Sequence, residues 1–363
     1  MLISDLIAKF LVYKKIDSVF VYPGGTIAPL INSFLKYKIK IEVFKSEQGA
    51  GYAALAKARL TNKTQVFMVT SGPGLTNALT PLADAFFDST PVMLISGQIG
   101  TKDLNKRKEV RQRGFQETNT IKITKEISKE SICLKDRNTA IIKFISLFNK
   151  TTTDRHGPVV IDFPMNIQRE SFKIKNFKDF LINKNEINIK KRYFNNGVKN
   201  KFKKINKLIS VAKRPVLLLG QGVIHTQYKK ILDKVINENK FLVVTSLLGI
   251  GTYDTSKINH LGYIGHTGHY AANEAVYSCD LLLVLGSRLD LRQTGTEVKY
   301  FVPKGKIIWI DIDNKEIKNP RINAFISVNS SIDNFLINYK KINNKRYYDN
   351  NWKNKIFSLK NSK

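Results

Sequence analysis

A lone glutamate opens the run EQGAGYAALAKA (47–58), directly after the strand-like stretch IEVFKS (41–46). Three more polar or glycine signatures, YPGG (22–25), TSGPG (70–74) and SGQ (96–98), follow other short apolar runs. Glycines at such places permit φ > 0 and close backbone approach to a flat ligand, although each alone equally closes a tight turn. Glu47 has two readings. As a first-turn acid it stabilises a helix N-terminus by roughly 0.3–1 kcal/mol. Buried against a heterocycle at a strand end, the same carboxyl shares a proton with a ring nitrogen.

The elements that must hold these residues follow from apolar patterning. VFVY (19–22), IEVF (41–44), QVFMVT (65–70), PVMLIS (91–96) and GPVVIDFP (157–164) alternate with helical stretches ending near Tyr37, running from Glu47 to Leu60 and from about Leu75 to Phe87, and lying near 137–150. Apolar strands alternating with helices mean a parallel sheet covered on both faces, with ligands outside the carboxyl ends of the strands. Residues 101–135 read as charged and irregular.

A second alternation carries PVLLLG (215–220), FLVVTS (241–246), DLLLVLG (280–286) and KIIWIDID (306–313). The expected fold class is therefore α/β, two open parallel-sheet domains spanning 1–165 and 191–328, a linker over 166–190, and a Lys/Asn-rich tail over 329–363. Two domains also suit the length, since 363 residues exceed the ~250–300 at which one core stops growing.

Composition narrows the function classes. A hydrophobic content of 42% supports packed cores, so wholesale disorder is excluded. The net charge of +31 comes mostly from Lys dispersed among Asn and Ile, as in IKKRYFNNGVKNKFKKINK (189–207), which reads as solvated surface rather than a nucleic-acid stripe. Cys133 and Cys279 lie far apart and fit no metal spacing, as expected of reduced thiols in an intracellular protein. The opening MLISDLIAKFLVYKK places Leu2, Ile3, Leu6, Ile7, Phe10 and Leu11 on one helical face and does not read as a signal peptide. No apolar run approaches the ~20 residues of a membrane span, so a cytoplasmic location and no membrane partner are expected.

Taken in order, VFVYPGGTIAPL, KSEQGAGYAALAKAR, TSGPGLTNALTPLADAFFDSTPVMLISGQ and GFQETNTIKITKEISK resemble the N-terminal pyrimidine-binding domain of thiamine-diphosphate enzymes, specifically the acetolactate synthase group. TSLLGIGTYD, LGYIGHTGHYAANEAVYSCDLLLVLGSRLDLRQTG and IDIDNKEI resemble that group's central, FAD-carrying domain. The resemblance implies decarboxylation of pyruvate and transfer of the two-carbon unit to a second 2-keto acid, in a homodimer. Glu47 falls on the glutamate that binds the pyrimidine ring nitrogen, promoting the imino tautomer whose nitrogen takes the thiazolium C2 proton. Pro23, Thr70 and Asn77 fall on the pyrimidine pocket; Gly25, Phe115 and Gln116 on positions around the reacting carbonyl; Lys129 on a basic residue at the entrance. Arg155 and Asp311 fall on FAD-holding positions, Gly220 and Gly222 lie in a loop that can approach the FAD, and Arg288 falls on an arginine between FAD and the acceptor keto acid, where a guanidinium suits a carboxylate.

The sequence departs from that pattern in two places. His266-Thr267 stands where the family usually has Met-His. With His269 it offers only two nearby ligands, so no metal site is expected here. No Gly-Asp-Gly, the family's mark for the Mg²⁺ ion that carries the diphosphate, occurs in the 363 residues, and the Asn pairs at 195, 343 and 350 lie in charged sequence. The expectation is an assembly in which a separate chain supplies that half, with a truncated product or a non-catalytic flavin-binding or subunit-interaction relic as the competing readings. A different decarboxylase or carboligase of the same superfamily is the enzymatic alternative.

Overall fold

Alternate residues of an extended strand face opposite sides, so an apolar run with no polar positions needs cover on both. The computed structural model, which describes residues 1–104, 110–174, 177, 180, 196–342 and 347–362, shows that arrangement twice. The chain divides into two units, Met1–Lys190 and Lys191–Lys363.

In the first unit the strands are β1 Ser18–Val21, β2 Lys40–Val43, β3 Gln65–Val69, β4 Val92–Gln98, β5 Glu130–Cys133 and β6 Val159–Pro164. They pair in the order β2-β1-β3-β4-β6-β5, every pair parallel. The helices are α1 Ile3–Tyr13, α2 Ala28–Lys36, α3 Glu47–Thr61, α4 Pro73–Asn77, α5 Leu79–Phe87, α6 Thr120–Thr124, α7 Arg137–Lys150 and α8 Met165–Arg169. Val19, Val21, Met68 and Ile95 pack with Phe10, Phe34 and Phe144 of α1, α2 and α7. Phe20, Phe67 and Leu94 face the other way, toward Ala54 and Leu82 of α3 and α5.

Three differences from the sequence reading appear in this unit. The charged stretch 101–135 hides β5, whose residues ESIC are only half-buried and carry no apolar run. The helix expected from Leu75 is two helices, α4 and α5. The linker of 166–190 begins as structure: α8 is helical, and Ser171 bridges antiparallel to Leu2, while 181–190 lie outside the described residues.

The second unit holds β7 Pro215–Leu219, β8 Leu242–Thr245, β9 His260–Tyr263, β10 Leu281–Leu285, β11 Lys306–Asp311 and β12 Ile326–Asn329, in the order β12-β11-β10-β7-β8-β9. Leu217, Leu283 and Ile310 line one face, Leu218, Val284 and Trp309 the other. Residues 329–363 continue this unit rather than trailing from it. The helix Ile332–Asn338 buries Phe335 and Leu336, and the helix Asn350–Asn361 buries Trp352 and Ile356. One narrow apolar stripe at i, i+4 anchors an otherwise Lys/Asn-rich helix, and Trp352 Nε1 donates to Ser278 Oγ at 2.8 Å.

In each sheet the strand order reverses at an inner position, between β1 and β3 in the first and between β7 and β10 in the second. Loops leaving the carboxyl ends of those strands part there and open a crevice.

Candidate functional site

At the first crevice, three strand-end loops meet. The hydroxyls of Thr26 and Thr70 are hydrogen-bonded at 2.7 Å, and Ser71 N donates to Thr26 Oγ1 at 3.3 Å. Gly24 permits this approach: a Cβ there would stand 2.7 Å from Thr70 Cβ. Likewise a Cβ on Gly97, at the end of β4, would lie 2.2 Å from Thr26 Oγ1.

Glu47 is the first residue of α3, behind Ser46, whose Oγ caps the helix by accepting from Gly49 N at 3.0 Å. Small residues then let the helix pack deep against α5 and β3, since a Cβ on Gly51 would meet Pro81 Cγ at 2.5 Å and Phe67 Cε2 at 3.3 Å. That depth buries Glu47. Its Oε2 accepts from Asn77 Nδ2 at 2.6 Å, and the Gly74 backbone passes close enough that a Cβ there would lie 3.4 Å from Oε1. A solvated helix-end acid needs none of this, so the first-turn reading alone does not account for the residue.

The 114–118 segment joins the same edge. Gly72, at φ +65°, packs against Gln116, itself at φ +58°; a Cβ on the glycine would stand 2.6 Å from Gln116 Cβ. Beside it a cleft of about 360 Å³ is lined by Thr26, Ile99, Arg113, Phe115 and Met165 among others. Pro23 and Gly25 are exposed at this edge, and nothing lies within 4 Å of a Cβ built on Gly25.

At the second crevice the contacts are backbone on backbone. Gly220 N donates to Leu285 O and Gly222 N to Gly286 O, at 2.9 and 3.1 Å. A Cβ on Gly220 would stand 2.1 Å from Gly286 O, and one on Gly249 would stand 2.3 Å from Leu219 O. Asp311, at the end of β11, accepts from Asp313 N at 2.8 Å. Arg288 is half-exposed, its Nε donating to Asp290 Oδ2 at 3.3 Å. The Thr245 hydroxyl at the end of β8 is buried with no hydrogen-bond partner among the described residues.

These two edges correspond to two known sequence families. Residues 1–123 match the thiamine pyrophosphate enzyme N-terminal TPP binding domain, and residues 202–337 the thiamine pyrophosphate enzyme central domain. The chain belongs to the thiamine pyrophosphate enzymes. It is similar to a probable acetolactate synthase large subunit of Methanocaldococcus jannaschii, 34% identical over 88% of this chain and 52% of the relative. The acetolactate synthase large subunit of Corynebacterium glutamicum is 34% identical over 83% and 46%. The mitochondrial acetolactate synthase catalytic subunit of Saccharomyces cerevisiae is 31% identical over 84% and 45%. The chain spans about half the length of the curated relatives it matches.

In this thiamine pyrophosphate enzyme, Pro23, Gly25, Glu47, Thr70, Asn77, Phe115 and Gln116 share the carboxyl edge of the first sheet, while Gly220, Gly222, Arg288 and Asp311 share that of the second. Lys129 requires correction. It immediately precedes β5, so it sits at the opposite, amino edge. All three of its ammonium hydrogens are directed at carbonyls, those of Lys150, Thr153 and Arg155, at 2.5, 2.7 and 2.7 Å. Arg155 lies at that amino edge too, its Nε donating to Ser89 Oγ at 2.8 Å. In the second unit, His269 Nδ1 accepts from Tyr263 N at 3.4 Å, its ring edge-on to that tyrosine, and the described residues hold no group of three metal-ligating side chains.

Sequence reasoning missed Thr26. Its signal was available: the hydroxyl follows directly on the paired glycines that bring its loop against β3. Ser71 was missed as well, and its buried hydroxyl has no hydrogen-bond partner among the described residues.

Proposed function

We propose that the chain carries the pyrimidine-binding and FAD-type parts of an acetolactate synthase, which decarboxylates pyruvate and passes the two-carbon unit to a second 2-keto acid. The observation that carries this reading is the buried Glu47–Asn77 pair at the first crevice. Its residues suit a flat, nitrogen-bearing ring: a buried carboxyl, a buried hydroxyl at Ser71 with no hydrogen-bond partner among the described residues, and open space beside Gly25. Thiamine diphosphate, when bound, supplies an acidic carbon whose conjugate base adds to a keto-acid carbonyl. Glu47 holds a proton at its carboxyl oxygen for a ring nitrogen, Asn77 fixes the carboxyl's rotation, and Thr26 with Thr70 sets the width of the pocket. Gly25, Phe115 and Gln116 face the substrate.

The second crevice suits a dinucleotide, because glycine backbone at Gly220 and Gly222 forms its strand-end loop. We assign FAD there, held by Gly220, Gly222 and Asp311, with Arg288 receiving the acceptor carboxylate. The diphosphate and its Mg²⁺ are held by residues outside these 363, on the same polypeptide or another, in an assembly built on a homodimer. Free Cys133 and Cys279 accord with a reducing cytoplasm. Among the described residues no helix is long and apolar enough to cross a membrane.

The test is exchange of the thiamine diphosphate C2 proton with Mg²⁺ present, for this chain alone and mixed with a separately expressed diphosphate-binding domain. Accelerated exchange only in the mixture, followed by acetolactate formation from pyruvate, is the expected result. Exchange at the free-cofactor rate in a mixture whose components demonstrably associate would overturn the reading.

A further inference from the structure

Asp162 is a buried acid in the middle of a sheet, and Proposed function gives it no task. It lies on β6, directly beside Cys133 of β5 and Ser96 of β4. Thr120 Oγ1 donates to its Oδ1 at 2.8 Å, and Gln98 Nε2 to its two oxygens at 3.3 and 3.4 Å. Both of these donors belong to residues that also hold a third group, the carbonyl of Thr118. Gln98 Nε2 donates to that oxygen at 2.8 Å, and Thr120 N at 2.9 Å. With two donors, the Thr118 carbonyl has its full complement.

The grip continues toward the crevice. Thr118 Oγ1 donates to Gln116 O at 3.3 Å, and Gln116 is the residue against which Gly72 packs. Gln98 is itself fixed, because its Oε1 accepts from Ile99 N at 3.0 Å. Gln98 and Thr120 are both buried, so their alternatives to these contacts are unmade hydrogen bonds in a dry interior.

We infer that Asp162 is a positioning residue for the 114–118 segment: its carboxylate orients Gln98 and Thr120, which together clamp the Thr118 carbonyl and hold Gln116 against Gly72. The bearing of this clamp on catalysis rests on the reading of Gln116 as a substrate-side residue; the clamp itself does not.

The device is pH-sensitive, and its sign is distinctive. Burial pushes the Asp162 carboxyl up to about 6, against the pull of hydrogen bonds from Thr120, Cys133 and Gln98 and the nearby Lys135 charge. The Cys133 thiol, its titratable neighbour on β5, is pushed up by burial and by Asp162, with Lys135 and Lys143 acting the other way. Gln98 on β4 and Thr120 on α6 are neutral. A protonated Asp162 must place an O–H among donors, so the clamp loosens as pH falls through about 6. Global stability moves oppositely. With the folded value above the ordinary 3.8, the folded state binds more protons across that window, and the contribution of this group to stability decreases as pH rises through it.

Hydrogen exchange on the whole chain separates the two, read at the Glu117 and Thr120 amides, which donate to Gly114 O and Thr118 O. In the wild type, protection at these amides should fall as pH drops through 6. Asp162→Asn should lose about tenfold in protection there, show no such pH step, and melt no lower than wild type at neutral pH. Gln98→Met, which removes the shared donor and leaves the acid, should reproduce the segment-specific loss if Asp162→Asn folds poorly. A flat wild-type profile through pH 6, or a loss spread evenly over β5 and β6 in both variants, would overturn the inference. C2 proton exchange in the diphosphate-domain mixture tests Proposed function independently, so the two can fail separately.

Discussion

The two crevices occupy the same place in two similar sheets, yet they are made of different material. At the first, glycines clear room for side chains: Gly24 for Thr70, Gly97 for Thr26, and Gly74 for Thr70 beside Glu47. At the second, glycines clear room for other backbone: Gly220 for Gly286 O, Gly222 for Gly286 Cα, and Gly249 for Leu219 O. The first edge presents a specific acid, held by one amide at 2.6 Å. The second presents peptide groups whose geometry no rotamer change can adjust. On the proposed function, chemistry falls to the first and cradling to the second. Substitutions should therefore fail differently: at the first by losing activity, at the second by losing the fold.

The largest effect tests the chemical half of that contrast. Glu47→Gln keeps an oxygen that can accept from Asn77 but has no proton to share. Accelerated C2 exchange in the diphosphate-domain mixture should fall by about 10²–10⁴, while the melting temperature of the chain hardly moves. Retained exchange would return Glu47 to the role of a helix-end acid.

Gly220→Ala tests the other half. Its methyl would meet the Gly286 carbonyl oxygen at 2.1 Å and carbon at 2.5 Å, so two strand-end loops must separate. A loss of about 3 kcal/mol is expected, at the upper end for overpacking because the neighbour is backbone. Both tryptophans, Trp309 and Trp352, lie in the second unit. Urea unfolding followed by their fluorescence should shift, while hydrogen exchange in β3 and β4 should not. A shift of similar size in both units would dissolve the contrast.

Lys129→Met follows. Met keeps the aliphatic stem that packs on Gly157 but strips three carbonyls of their shared cation. A stability loss of about 1 kcal/mol is expected, modest because water can reach the site. C2 exchange should be unaltered, since this residue lies at the amino edge. A large fall in exchange at unchanged stability would restore it to the crevice.

The misplacement of Lys129 shows where reading the sequence fails. Strand ends with continuous apolar runs announce themselves, so β1, β3, β4 and β6, and with them the loops bearing Pro23, Thr70 and Gln98, are legible from pattern alone. β5 is not, because ESIC is a half-buried edge strand with one aliphatic residue. With β5 unseen, nothing in the sequence says whether Lys129 precedes or follows a strand, and in a parallel sheet that choice decides the edge. β9 and β12 escape for the same reason, as short strands flanking the sheet. The Glu47–Asn77 contact is legible only through family resemblance. Thirty positions separate them in the chain, and their meeting depends on how deeply the small-residue face of α3 settles on the sheet.

Gly25→Ala should have the smallest effect on stability, and that is why it sharpens the comparison. Nothing lies within 4 Å of a Cβ built there, and the residue does not adopt a left-handed φ, in contrast to Gly72 at +65°. Alanine also narrows the unfolded ensemble, so folding should change by no more than about 0.5 kcal/mol and tend toward stabilisation. A glycine that neither a neighbour nor the backbone demands must answer to something else in the crevice. If that is the reacting carbonyl, the added methyl occupies substrate space: KM for pyruvate in the reconstituted mixture should rise while C2 exchange without substrate stays at wild-type speed. An unchanged KM would mean that the open space at Gly25 is solvent, and would confine the substrate to the Phe115 and Gln116 side of the edge.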